Sequence, residues 1–289
     1  MGGSGQTPID FPVVGIGASA GGLEAIEAFL DALPADTGMA FIIVTHQHPG
    51  HKSMLSEILS RDTQMSVTEA IDGVKVQPNH VYVATPGAHL SMLNRTLQRM
   101  AQNEEQAPKL PIDHFFRSLA EDQNERAIGI ILSGTGTDGT LGLKAIKAES
   151  GMAMVQEPDS AKYMGMPASA IATGLADYVL PPTEMPAKLV AYVSGQYLAG
   201  DRDTEPSPVI AIEPMQKVFL LLRDRTGHDF SGYKTNTIRR RIERRMNVHQ
   251  INRPDQYVRY LRDNPHEIDV LFKELLISVT RFFRDSQAW

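Results

Sequence analysis

The chain has 289 residues, 42% of them hydrophobic, and no cysteine, a size that suits one large α/β domain or a medium domain with a small companion. The absence of cysteine excludes disulfides, thiolate metal sites and a cysteine nucleophile. No stretch nears the roughly 18 apolar residues of a membrane span, and the opening MGGSGQTPID lacks the basic and apolar regions of a signal peptide, so a cytoplasmic protein without membrane insertion is expected.

The net charge of −6 divides unevenly. Residues 1–212 hold 13 Lys and Arg against 24 Asp and Glu, whereas residues 213–289 hold 15 against 10. Two modules of opposite charge are the simplest account. A basic module invites nucleic acid, but an excess this modest also fits an acidic protein surface, and a protein partner rather than nucleic acid is expected.

In chain order, residues 1–9 read as a disordered leader. FPVVGIG, MAFIIVTH, HVYVAT, AIGIILSG, GMAMVQE and DYVLP then recur as short apolar runs separated by helix-like stretches. That alternation predicts an α/β fold over residues 10–195, a doubly wound, mostly parallel sheet with helices on both faces. After the first run, Leu23, Ile26, Ala28, Leu30 and Leu33 fall on one helical stripe that Pro34 closes. Residues 196–212 are polar, contain two prolines and read as a linker. Beyond it, 213–279 shows only helical patterns and predicts a small all-α domain.

The first strand runs into GIGASAGGLEAI, where Gly15, Gly17, Gly21 and Gly22 surround a single hydroxyl, Ser19. Such a turn exposes backbone N–H groups at a helix N-terminus, which suits either a cofactor's pyrophosphate or a nucleophilic serine whose oxyanion needs donors. Dinucleotide folds place a carboxylate at the end of the second strand to hold the ribose. Here that strand ends in Thr45 and His46, which weakens a nicotinamide-dependent oxidoreductase and supplies a base for the serine. The run AIGIILSG opens into another glycine-rich turn carrying Asp138.

Taken singly, these residues have plainer roles. His46 shares its loop with His48 and His51, as solvated or metal-binding histidines would, and Asp138 suits a helix cap. Together, three strand ends carry the three residue types of a hydrolytic triad, and strand C-termini converge in an open parallel sheet. Ser19 then attacks an acyl carbon, His46 takes and returns its proton, and Asp138 fixes the imidazole. The rate of such an enzyme falls as pH drops through the ordinary histidine value of about 6.5.

The ordered motifs GIGASAGG, VTHQHP, LSGTGTDGT and YMGMPASAI resemble the catalytic domain of the CheB-type protein-glutamate methylesterases of bacterial chemotaxis, over residues 10–195. The resemblance implies Ser19 as nucleophile, His46 as base and Asp138 as third member, with Met166 of the YMGMP loop beside the site. Ala20 stands where the family often has threonine, and Thr135 where methionine is often found near the oxyanion, departures that bear on substrate preference and rate. The family hydrolyses γ-glutamyl methyl esters on receptors, and some members deamidate glutamine. A methylated chemoreceptor or related signalling protein is the implied partner, and the esterase needs no cofactor and no metal. Many members carry a preceding phosphoacceptor domain, which has no counterpart before Phe11.

The basic stretch IRRRIERRM and the run VTRFFRD resemble the start of a CheR-type receptor methyltransferase. Ile238, Ile242 and Met246 form a narrow apolar stripe. Arg239, Arg240, Arg241, Arg244 and Arg245 cover the other faces, as a solvated surface or as one that docks an acidic helix or the preceding module. The resemblance marks Arg240, Arg241, Arg244 and Arg245 for substrate docking. It also makes Thr280, Arg281 and Arg284 the first contacts of an incomplete S-adenosylmethionine site, with 280–289 the start of a further domain and no transferase activity expected. A non-catalytic scaffold whose basic helix docks a partner is the alternative. If the helical module covers the esterase cleft, raising salt or deleting residues 213–289 increases activity.

Overall fold

A computed structural model describes residues 11–46, 54–101, 110–195 and 212–277. The leader 1–9, His48, His51, the linker up to residue 211, and segment 280–289 with Thr280, Arg281 and Arg284 lie outside the described residues.

The first half alternates strand and helix: β1 (Val13–Ala18), α1 (Gly22–Asp31), β2 (Ala40–Thr45), α2 (Leu55–Leu59), β3 (Ser66–Glu69) and β4 (His80–Val83). A hairpin, β5 (Ala88–Leu93) and β6 (Thr96–Ala101), precedes α3 (Pro111–Gln123). Alternation then resumes with β7 (Ala127–Ile131), α4 (Thr140–Ala148), β8 (Met152–Gln156), α5 (Gly165–Ala172), β9 (Tyr178–Leu180) and α6 (Met185–Val193). Seven strands form one sheet in the order β3-β4-β2-β1-β7-β8-β9, and every pairing in it is parallel. The anticipated α/β architecture is therefore present, with β1 at the centre between β2 and β7.

Both faces of the sheet are buried, as a parallel sheet requires. Val14, Ile16 and Ala18 pack with Ile26, Phe29 and Leu30 of α1 on one face. Val13 belongs to the opposite core with Phe115, Phe116 and Leu119 of α3. Gly15 and Gly17 are strand residues on that second face, not part of the turn. A β-carbon at Gly15 would stand 2.8 Å from Phe116, and one at Gly17 2.4 Å from Ile112, so the two glycines let α3 lie close against β1. On α1 the buried stripe is Ala25, Ile26, Phe29 and Leu30, and Leu23 is exposed, which corrects the expected stripe at its first turn.

Two features were not anticipated. Strand β3 is a short, largely exposed edge. The β5–β6 hairpin turns at Asn94 and Arg95, both with positive φ, a turn that lacks the usual glycine. It is pinned to α3, where Asp122 accepts the N–H groups of Asn94 and Arg95.

The second half is helical, with α7 (Ile212–Thr226), α8 (Thr235–Val248), α9 (Pro254–Asp263) and α10 (Pro265–Ile277). Ile238, Ile242 and Met246 line its core with Val218, Leu222, Phe230, Tyr257, Leu261 and Leu271, as the stripe in the sequence requires. For Arg241, Arg244 and Arg245 the expectation of an open substrate-docking face is corrected. Arg240 is exposed, but Arg241, Arg244 and Arg245 are buried to within 2% of full cover, because they face the first domain around Lys147 and Asp177.

Two outcomes are expected. At Gly129 of β7 an added β-carbon would meet Ile146 and Leu143 of α4 at 2.6 Å, so Gly129→Val costs about 1–3 kcal/mol, read from the urea midpoint. At Glu267 burial alone would raise the carboxyl, but hydrogen bonds from His249 and Arg245 and the Arg245 charge hold it at about 2. Its contribution to stability is complete above the ordinary value of 4.5 and is lost as pH falls toward about 2. Glu267→Gln therefore flattens the acid side of the thermal midpoint curve, followed by circular dichroism.

Candidate active site

Ser19 follows β1, His46 follows β2, and Asp138 lies in the turn from β7 to α4. Since β1 pairs with both β2 and β7, the three strand ends are neighbours at the point where the connections switch direction, the usual ligand crevice of an open α/β sheet. Ser19 Oγ is 3.0 Å from His46 Nδ1, and His46 Nε2 is 2.9 Å from Asp138 Oδ2. The relay runs from the serine hydroxyl, which donates to Nδ1, to the imidazole N–H at Nε2, which donates to the carboxylate. The histidine side chain is 35% exposed and the aspartate 2%, so one end of the relay meets solvent and the other is sealed.

Asp138 does two things at once. Its Oδ2 accepts the N–H of Ile112 at 3.0 Å, and its Oδ1 accepts those of Asp113 and Gly139, each at 2.9 Å. Ile112 and Asp113 begin α3, so Asp138 caps that helix from another part of the chain, where the helix dipole favours a negative charge. The capping role read for Asp138 and its place beside His46 coexist. The exchange is mutual: Asp113 Oδ1 accepts the N–H of Gly142 in α4 at 2.6 Å. Burial pushes the Asp113 carboxyl up, the Gly142 N–H draws it back, and the Asp138 charge raises it again.

The serine turn is held from below by residues the sequence reading did not single out. Ser133 is fully buried. Its hydroxyl donates to Ala20 O at 2.9 Å and accepts the Tyr163 N–H at 3.0 Å, its carbonyl accepts the Ser19 N–H at 2.9 Å, and its own N–H reaches Gln156 Oε1 at 2.7 Å. One hydroxyl thus ties the nucleophile turn to the YMGMP loop. Its signal was present, as a lone serine beside the glycine of LSGTG. Gly21 adopts φ 67° as the residue before α1, and a β-carbon there would meet Lys162 at 2.7 Å.

The residues expected near an oxyanion separate into two groups. Ala20 and Thr135 are exposed on the turns after β1 and β7. Met166 is wholly buried, and its sulfur lies where a β-carbon on Gly134 would come within 2.1 Å; that same atom would be 2.9 Å from Ser19 Cβ. Met166 therefore fills the space beneath Gly134. The neighbouring Tyr163 and Met164 are exposed and offer apolar contact at the rim. Among the described residues no three His, Cys, Asp or Glu are grouped to hold a metal ion, and no helix is long and apolar enough to cross a membrane.

Among the described residues, the helical module does not lie over this crevice. Its contacts fall on the α4 C-terminus, on Ser150 and Gly151 ahead of β8, and on Asp177 ahead of β9, the edge where strands begin. Whether the module covers the cleft was open in the sequence; these contacts lie away from it. Because Asp138 caps α3, Asp138→Ala is expected to lower stability by about 1–3 kcal/mol, whereas Ser19→Ala, which removes a half-exposed hydroxyl, leaves the thermal midpoint unchanged.

Comparison with known proteins agrees with the geometry. The family model described as CheB methylesterase matches residues 14–189, and that of the CheR methyltransferase all-alpha domain matches residues 213–276. A protein of Rhodobacter capsulatus named "Uncharacterized 104.1 kDa protein in hypE 3'region" is 32% identical over 81% of this chain and 27% of its own length. A "Protein-glutamate methylesterase/protein-glutamine glutaminase 3" of Burkholderia lata is 36% identical over 65% of this chain and 52% of its own. The chain thus spans about a quarter of the first relative and about half of the second. The crystal structure of the Thermotoga maritima CheB methylesterase catalytic domain aligns with a TM-score of 0.58 and 30% identity, covering 63% of this chain and 98% of that one. With its parallel sheet, its three converging strand ends and these matches, the chain belongs to the CheB methylesterase family and carries a CheR-type all-alpha domain after it.

Proposed function

We propose that this protein is a protein-glutamate methylesterase that hydrolyses glutamyl methyl esters on a chemoreceptor or related signalling protein in the cytoplasm. The observation that carries the reading is the unbroken relay from Ser19 Oγ through His46 to Asp138, at 3.0 and 2.9 Å.

In the reaction, Ser19 Oγ attacks the ester carbonyl while its proton passes to His46 Nδ1. The tetrahedral oxyanion forms near the N-terminus of α1, whose backbone dipoles favour negative charge. The proton then goes to the leaving methoxide, which departs as methanol and leaves an acyl-serine. Water, deprotonated by the same nitrogen, hydrolyses that acyl group and releases the glutamate carboxylate. Asp138 keeps a proton on Nε2 and stabilises the transient imidazolium. Its three backbone donors satisfy the buried carboxylate and hold it in place beside the imidazole. No cofactor enters this sequence. Glutamine deamidation, part of the name of the Burkholderia lata relative, needs the same acyl transfer with ammonia leaving.

Methanol release from a methylated receptor fragment tests the reading. Ser19→Ala is expected to reduce the rate by about 10⁴-fold or more, with the fold intact. The wild-type rate falls on the acid side, since imidazolium cannot accept the serine proton, and a flat profile from about pH 5 to 8 removes His46 as the base. No release from folded wild-type protein on any methylated receptor fragment overturns the esterase reading in favour of a scaffold.

A further inference from the structure

The buried arginines of α8 identify a second interaction surface, independent of the esterase chemistry. Arg241, Arg244 and Arg245 stand three and four residues apart, hence on one helical face. Arg241 Nη1 and Nη2 donate to the carbonyls of Lys147 and Ala148 at 3.3 and 3.2 Å. These are among the last carbonyls of α4, which have no partner inside the helix and lie at its negative end. Arg244 Nε donates to Ser150 O and Gly151 O at 2.9 and 3.0 Å, and its guanidinium reaches both oxygens of Glu274 and also Asp177. Arg245 grips Glu267 in a bidentate pair at 2.7 and 2.6 Å and touches Asp177 at 2.7 Å.

Across the boundary Lys147 Nζ contacts Asp177 at 2.8 Å and Glu274 at 2.6 Å. Three cations, Lys147, Arg244 and Arg245, thereby meet three carboxylates, Asp177, Glu267 and Glu274. The helix is seated at its end as well. Val248 joins the core cluster that holds Leu189 and Tyr192, its carbonyl accepts the Tyr178 hydroxyl, and Asn247 Nδ2 donates to Tyr192 O at 3.0 Å.

We propose that the α4 C-terminus, the Ser150–Gly151 turn and Asp177 form a dedicated binding surface for an arginine-bearing helix, and that α8 of the same chain occupies it permanently. Fully paired buried charges add little net stability over an apolar interface, but removing one partner strands the others, so they fix one register and one orientation. Salt acts weakly on them because solvent ions cannot enter. Arg241, Arg244 and Arg245 of α8 therefore join the two modules and do not recognise a separate acidic partner, whereas Arg240 is open to solvent.

A protease recognition sequence placed between residues 200 and 208 of the full chain tests this. After cleavage the two halves are expected to co-elute on gel filtration both at low salt and at about 1 M salt. Arg240→Ala should behave as wild type. Glu274→Ala, which leaves Lys147 and Arg244 short of a partner, should weaken the association by roughly a hundredfold or more, so that the halves part on dilution. Arg241→Ala, which removes the contacts to the α4 carbonyls, should weaken it in the same direction and serves if Glu274→Ala fails to fold. Separation of the cleaved wild-type halves overturns the proposal, as does an Arg240→Ala loss equal to that of the interface variants.

Discussion

The carboxylate of Asp138 is the point on which the geometry of the crevice in the first domain depends. It accepts three backbone N–H groups and contacts the imidazole, so a nearly closed carboxylate has its hydrogen-bonding partners. Because two of those donors begin α3, the charge that orients His46 also fixes where that helix starts. Asp113 returns the contact to α4, so the two helices define each other's first turns. Glycines in β1 then let α3 approach the sheet closely enough for its N-terminus to reach the crevice. Site geometry and helix packing are thus one problem with one solution.

Much of this was legible in the residues. The six apolar runs became six of the seven sheet strands, and the helical patterns after residue 212 became four helices. The convergence of Ser19, His46 and Asp138 was legible because each lies at a strand end, where a parallel sheet gathers its residues. What stayed hidden depended on partners distant in sequence. That Asp138 caps α3 rests on a helix that begins 27 residues earlier, and Ser133 becomes a tie only when Ala20, Tyr163 and Gln156 surround it. Strand β3 is too short and polar to show a period, and the Asn94–Arg95 turn lacks the glycine that marks most hairpins.

The arginines show the same limit from the other side. Their number and spacing were plain, but a basic helical face reads alike whether it meets water, a foreign protein or its own neighbour. The deciding fact is Asp177, on a loop of the other module with no unusual local sequence. Once Lys147 and Asp177 are placed at the beginning of the sheet strands, a helix bearing arginines three and four apart has a position that fits its charges and the last carbonyls of α4 together.

The placement of the helical module on the edge where strands begin has a bearing on what can be processed. On the opposite edge, among the described residues, no part of the helical module walls the serine. Under the proposed function, a side chain that enters the crevice there meets the turns after β1, β2 and β7 rather than the described part of the helical module.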